Sequence, residues 1–190
     1  MIALDTQLFL ALNALAGRSA ALDAVMIAVA RYAPEVLALA LVGLWLTWRA
    51  AHQRAAALAG TAALLALGIG QIVGVVFPRA RPYEVLPSAH LLIAHGPDTS
   101  FPSDHAILAF AVAVAVWGLH RTLGAALLLF AVWTAVARVF VGAHYPGDVV
   151  GGAVLGGAVA LGVWALSERR PAALAIERVF ILLRRLRLAA

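Results

Sequence analysis

From residue 56 to residue 77 the chain runs without a charged side chain, and stretches near 33–50, 103–118, 122–141 and 148–167 are almost as apolar. Crossing a hydrocarbon core of about 30 Å takes about 20 such residues in a helix. Inside that core every backbone N–H and C=O must be bonded within the protein, so only helices or a closed barrel can cross. A barrel reads as alternating segments of about 10 residues, and unbroken Ala/Leu/Val runs do not. With 64% hydrophobic residues and a mean hydropathy of +0.97, the chain is too apolar to cover the surface of a soluble domain. The expectation is an all-α integral membrane protein, a bundle of about five transmembrane helices.

Residues 4–16 and about 20–31 are shorter pieces separated by Gly17-Arg18-Ser19. They read as N-terminal interfacial helices, one broken sixth crossing being the alternative. Pro34 and Glu35 then fall in the opening turn of the first crossing, where both are tolerated. The chain is thus expected to form one domain over 1–190, with interfacial helices to residue 31, a membrane core over 33–167 and a basic tail over 168–190. In the tail, Arg and apolar residues alternate at roughly helical spacing, as in a helix lying on an anionic leaflet.

All fourteen basic residues are Arg and the net charge is +5. They gather at segment ends, where topology signals belong, not on a face that would take nucleic acid. With no Cys, disulfide, thiolate and thiolate–metal chemistry are excluded. The first residues lack a basic n-region and a cleavage site, so no removable signal peptide is expected. By the positive-inside rule Arg49, Arg54, Arg121 and the tail belong on the cytoplasmic side. Five crossings put them there together, and put the polar stretch 78–102, His105, Arg138 and His144 on the other side.

Phe101-Pro102-Ser103-Asp104-His105 stands just before an apolar run, with Ser103 at an expected helix N-cap. Free backbone N–H groups at such an end attract phosphate. Arg79, Arg81 and Arg138 add guanidiniums that bind phosphate oxygens in pairs. His144 and Asp148 are four apart across a helix start. The carboxylate can therefore take one ring N–H and leave the other nitrogen as nucleophile or base, while His105 can serve as general acid. A metal site from His105, His144, Asp148 and His90 or His95 has suitable ligand types, but the arginines would repel a cation. A Ser103–His–Asp148 triad lacks a G-x-S-x-G elbow. His90, His95 and His120 taken singly read as locally satisfied surface residues.

Arg81-Pro82, then Pro102-Ser103-Asp104-His105, then Arg138-x5-His144-x3-Asp148 resembles the three-part signature of the type 2 phosphatidic acid phosphatase superfamily. The resemblance covers about 71–155. It is nearest the bacterial undecaprenyl-diphosphatase branch, in which Asp often replaces Gly in the second motif. Two positions depart from the pattern: Gly74 stands where the first motif has Lys, with Arg79 a candidate substitute, and Ala137 stands where the third commonly has Ser.

The resemblance implies that His144 forms a phosphohistidine, Asp148 orients it and His105 protonates the leaving oxygen. Arg81, Arg138, Ser103 and the Asp104 backbone amide would hold the phosphoryl oxygens, with no metal and no cofactor. Its implied partner is a lipid phosphate or diphosphate among membrane lipids. The implied reaction is hydrolysis of undecaprenyl diphosphate at the outer face of a bacterial cytoplasmic membrane, with recycling of the carrier lipid for cell-wall synthesis. Phosphatidic acid or phosphatidylglycerol phosphate is the alternative substrate, and a non-enzymatic carrier of an anionic lipid or solute is the alternative class.

Overall fold

The computed structural model describes residues 2–94, 96, 98–169 and 181. The basic tail expected over 168–190 therefore lies, apart from Glu168, Arg169 and Ile181, outside the described residues, as does His95. The described chain forms α1 (Ile2–Asn13), α2 (Ala20–Leu46), α3 (Ala50–Val76), a short α4 (Pro82–Val85), α5 (Asp104–Leu119), α6 (Arg121–Phe140) and α7 (Pro146–Ser167). Helices α2, α3, α6 and α7 are long and apolar enough to cross a membrane. The all-α, five-helix membrane bundle is thus what the apolar runs foretold.

One boundary differs. Residues 20–31 do not form a separate interfacial helix, because α2 runs on through Pro34 to Leu46. Proline inside a helix leaves the carbonyl four residues earlier without its N–H partner. That carbonyl belongs to Ala30, and it accepts a hydrogen bond from Arg138 Nη1 at 3.3 Å. A tertiary donor replaces the lost local one, so the break expected at residue 32 does not occur. Ser19 caps the start of α2, its Oγ accepting from the Leu22 N–H at 3.4 Å.

Helix α5 is the axis of the bundle. It is apolar all round, as a fully surrounded helix must be, and it packs against α2, α3, α6 and α7. Ala59, Ala62 and Ala66 of α3, Ala109, Val112 and Val116 of α5, and Ala131 and Ala160 share one core cluster. Small residues let membrane helices approach closely. At Gly156 the approach leaves no room for a side chain, since a Cβ would stand 2.3 Å from the Ile107 carbonyl oxygen. Outward-facing residues remain apolar, with Leu64 75% and Val75 82% exposed, as for a surface solvated by lipid.

With 16 residues, α5 is only about 24 Å long, shorter than the bilayer core. A cavity forms where α5 and α7 begin and α3 and α6 end. At the opposite end Arg54 pairs with Glu168 at 2.7 Å, and the rings of His52 and His120 lie 5.3 Å apart. The basic connectors meet there, away from the cavity.

Candidate active site

The cavity measures about 260 Å³ and is lined by Arg81, Asp98, Asp104, His105, Arg138 and His144, with Gln71 and Gly74 of α3 behind them. Residues from three separate stretches of sequence meet there. His144 occupies the loop between α6 and α7 and is 2% exposed. Gly142, at φ +86°, turns the chain out of α6 in a conformation that suits glycine. The Ala143 N–H then bonds back to the Arg138 carbonyl at 3.2 Å.

The His144 ring is fixed at both nitrogens. Nδ1 lies 2.8 Å from the Ser100 carbonyl oxygen. A carbonyl can only accept, so Nδ1 carries the proton and Nε2 keeps its lone pair. Nε2 faces Arg81 Nη1 at 3.2 Å and Arg138 Nη2 at 3.4 Å. Burial pushes the imidazole down to about 4; Asp148 pulls it up, and Arg138 and Arg81 push it further down. At neutral pH the ring is uncharged, with its lone pair on the cavity side.

Arg81 is held by its other nitrogens. Nε donates to Asp98 Oδ1 at 2.6 Å, Nη1 also to the Ala143 carbonyl at 2.7 Å and Nη2 to the Thr99 carbonyl at 3.3 Å. Its backbone N–H donates to Glu84 Oε2 at 2.7 Å, which fixes the start of α4. Arg138 is anchored at Ala30 through Nη1. Two buried polar atoms, Arg138 Nε and Ser103 Oγ, have no hydrogen-bond partner among the described residues. Ser103 is the N-cap of α5, but its side chain makes no cap bond. Buried donors left this way are rare and call for an explanation.

Asp148 lies behind His144, at the third position of α7. Oδ2 accepts from the Tyr145 N–H at 2.8 Å and from Ser100 Oγ at 2.5 Å. Oδ1 accepts from Arg79 Nη1 at 2.7 Å. Oδ2 lies 3.8 Å from His144 Nδ1, beyond hydrogen-bond range. The direct His–carboxylate bond expected from the four-residue spacing is thus replaced by Ser100, whose carbonyl takes the ring N–H and whose hydroxyl holds the carboxylate.

Arg79 does not line the cavity. Its guanidinium bridges Asp148 and Asp5 and stacks over the Tyr145 ring at 3.9 Å. It therefore does not stand in for the missing Lys. A Cβ at Gly74 would lie 2.9 Å from Thr99 Cγ2 and 3.3 Å from the Phe101 carbonyl, so the loop before α5 fills the space into which a longer side chain would point. Gln71, one turn earlier, reaches the cavity instead and donates to both Asp104 oxygens at 3.1 and 3.0 Å.

Ser100, Asp98, Gln71 and Asp5 escaped the sequence reading. Gln71 had a signal, being the only polar side chain between Thr61 and Pro78, a position where polar residues are seldom idle. Among the described residues no three His, Cys, Asp or Glu side chains group as metal ligands do.

The bundle and its cavity define a class: a multi-pass membrane protein whose cavity gathers two arginines about a buried histidine. The chain belongs to the PAP2 superfamily, whose pattern it matches over residues 55–172. Undecaprenyl-diphosphatase BcrC of Bacillus subtilis is 33% identical to it over 78% of this chain and 76% of that protein. The Bacillus licheniformis protein named bacitracin transport permease protein BcrC is 35% identical over 79% of this chain and 74% of its own length. Among solved structures, LpxE of Aquifex aeolicus superposes with a TM-score of 0.73 at 26% identity, over 85% of this chain and 95% of that one. Within that family this chain is a lipid phosphatase.

Proposed function

We propose that the chain hydrolyses undecaprenyl diphosphate to undecaprenyl phosphate and inorganic phosphate, from the outer face of a bacterial cytoplasmic membrane. The observation that carries the reading is the meeting of two guanidiniums on His144 Nε2, within 3.4 Å. An incoming terminal phosphoryl group would take those guanidiniums onto its own oxygens and leave the lone pair in line with phosphorus. Ser103 Oγ and Arg138 Nε, both without partners among the described residues, supply further donors. Little else is needed, because phosphoryl transfer rests on positioning and charge stabilisation.

In the first step Nε2 bonds to the distal phosphorus as its bond to the bridging oxygen breaks. His105, at the cavity wall, gives that oxygen its proton and the lipid monophosphate departs. In the second step His105 takes a proton from water, the oxygen attacks the phosphohistidine, and inorganic phosphate leaves. Nδ1 keeps its proton, donated in a hydrogen bond to the Ser100 carbonyl, and Asp148 stabilises the positive ring of the intermediate from 3.8 Å. Undecaprenyl diphosphate is chosen because of the relative of that name at 33% identity. Carrier-lipid recycling for the cell wall is the corresponding role.

The test is phosphate release by purified protein from undecaprenyl diphosphate, phosphatidic acid and phosphatidylglycerol phosphate. The diphosphate should show the highest kcat/KM. A preference for either phospholipid would keep the site and overturn the substrate. For orientation, the chain has no native Cys, so Ser88→Cys and Thr122→Cys report cleanly. An impermeant thiol reagent should label the first and not the second in intact cells.

A further inference from the structure

The N-terminal helix carries no residue of the family signature, yet one of its faces is built into the site. Asp5, Phe9 and Asn13 recur every four residues and so lie along one side of α1. Phe9 is fully buried, its ring 5.5 Å from that of Tyr145. Asn13 bonds to the carbonyls of His90 and Phe140, each at 2.8 Å. On the other side, Leu4 and Leu8 are 61% and 51% exposed. The helix is thereby fixed along and around its axis, and that fixes where Asp5 stands.

Asp5 Oδ1 accepts from the Gly147 N–H at 2.7 Å, in the first turn of α7. Oδ2 accepts from Arg79 Nη2 at 2.6 Å, while Arg79 Nη1 donates to Asp148 at 2.7 Å. One guanidinium therefore joins two carboxylates, and a charge-assisted bond of this kind is about twice as strong as a neutral one. Without a second acid, Arg79 would carry its whole charge against Asp148 and could swing with it. We infer that Asp5 is a positioning residue of the active site, holding Arg79, and through it Asp148, in the place behind His144 that turnover requires.

This rests on the phosphatase reading above. Asp5 touches neither the cavity nor His144, so its influence should fall on the chemical step and spare oxyanion binding.

Asp5→Asn keeps an oxygen to accept from the Gly147 N–H and sets an NH2 donor against Arg79, so both the charge and the acceptor facing that guanidinium are lost. It should lower kcat about tenfold, the scale on which outer hydrogen-bond partners act. KM and the vanadate inhibition constant should stay within about twofold, because Arg81 and Arg138 are untouched. Asp5→Glu, which restores the charge on a longer arm, should recover part of the loss. With Arg79→Gln already in place, Asp5→Asn should change kcat no further.

If Asp5→Asn cannot be purified folded, Asp5→Glu carries the test through a fall in kcat with unchanged vanadate inhibition. Wild-type kcat in a folded Asp5→Asn, or parallel losses in kcat and vanadate affinity, would overturn the inference and leave the phosphatase reading standing. A wild-type protein that releases no phosphate from any lipid would overturn both.

Discussion

Arg79 and Arg81 stand two residues apart and end on opposite sides of the same histidine. Arg81 faces the cavity with Arg138, and there Arg138 Nε and Ser103 Oγ are left without partners among the described residues. Arg79 faces the closed side, where it is engaged by Asp5 and Asp148 and lies over Tyr145. The same chemical group thus serves two ends. On the cavity side, Arg81 is held by Asp98 and by backbone carbonyls and Arg138 by the Ala30 carbonyl, with guanidinium N–H groups turned to the cavity. Behind His144 the acids and donors neutralise one another, leaving a fixed support. A buried charge is tolerable only when paired or matched by a ligand; behind His144 both acids pair with Arg79, and on the cavity side Arg81 pairs with Asp98.

The largest effect should come where the two sides meet. His144→Ala should lower kcat by roughly 10⁴-fold or more, as loss of a nucleophile does, with the unfolding temperature preserved. Retained turnover would mean that phosphorus is not attacked from Nε2. Next come the cavity arginines. Arg81→Ala and Arg138→Ala should each cost about 10²–10³ in kcat/KM and weaken vanadate inhibition in proportion. Equal losses from Arg79→Gln, with equal loss of vanadate affinity, would erase the difference between the two sides.

Ser100→Ala removes one of the donors to Asp148 while keeping the carbonyl that holds His144. About tenfold in kcat is expected, near the net value of one hydrogen bond to a charged group. Loss of vanadate affinity in that variant would move Ser100 to the cavity side.

The acid limb of the pH profile tests His144. Its pKa is lowered by burial to about 4, so the ring stays neutral as pH falls from 7 and becomes protonated only near that value. The acid limb of kcat/KM should accordingly lie near pH 4 and not near the ordinary histidine value of about 6.5. The same lowered pKa makes folding lose stability between about pH 6.5 and 4, because the unfolded chain binds that proton first. No effect at all is expected from a chelator, since arginines supply the positive charge; full loss restored by a divalent ion would overturn that account.

Much of this architecture was legible because membrane helices depend on local composition. A run such as 56–77 must be helical wherever its neighbours are, since lipid offers no other partner for its backbone. His144, Asp148, Arg81 and His105 were legible because their spacing repeats a family signature. The reading failed at Pro34, whose effect depends on a donor 104 positions further along, Arg138 Nη1 on the freed Ala30 carbonyl. It failed again at Arg79, where sequence shows a third guanidinium beside a phosphate motif and nothing that says which way it faces.

What the sequence by itself determined is therefore the run of apolar membrane helices and the candidate reacting groups, both properties of short stretches. Only the tertiary structure decided the allegiance of each polar side chain. That includes Ser100 between His144 and Asp148, Gln71 on Asp104 and Asp5 on Arg79. The reason is physical: a hydrogen bond is settled within about 3 Å, and residues dozens of positions apart come that close only when the whole bundle has packed.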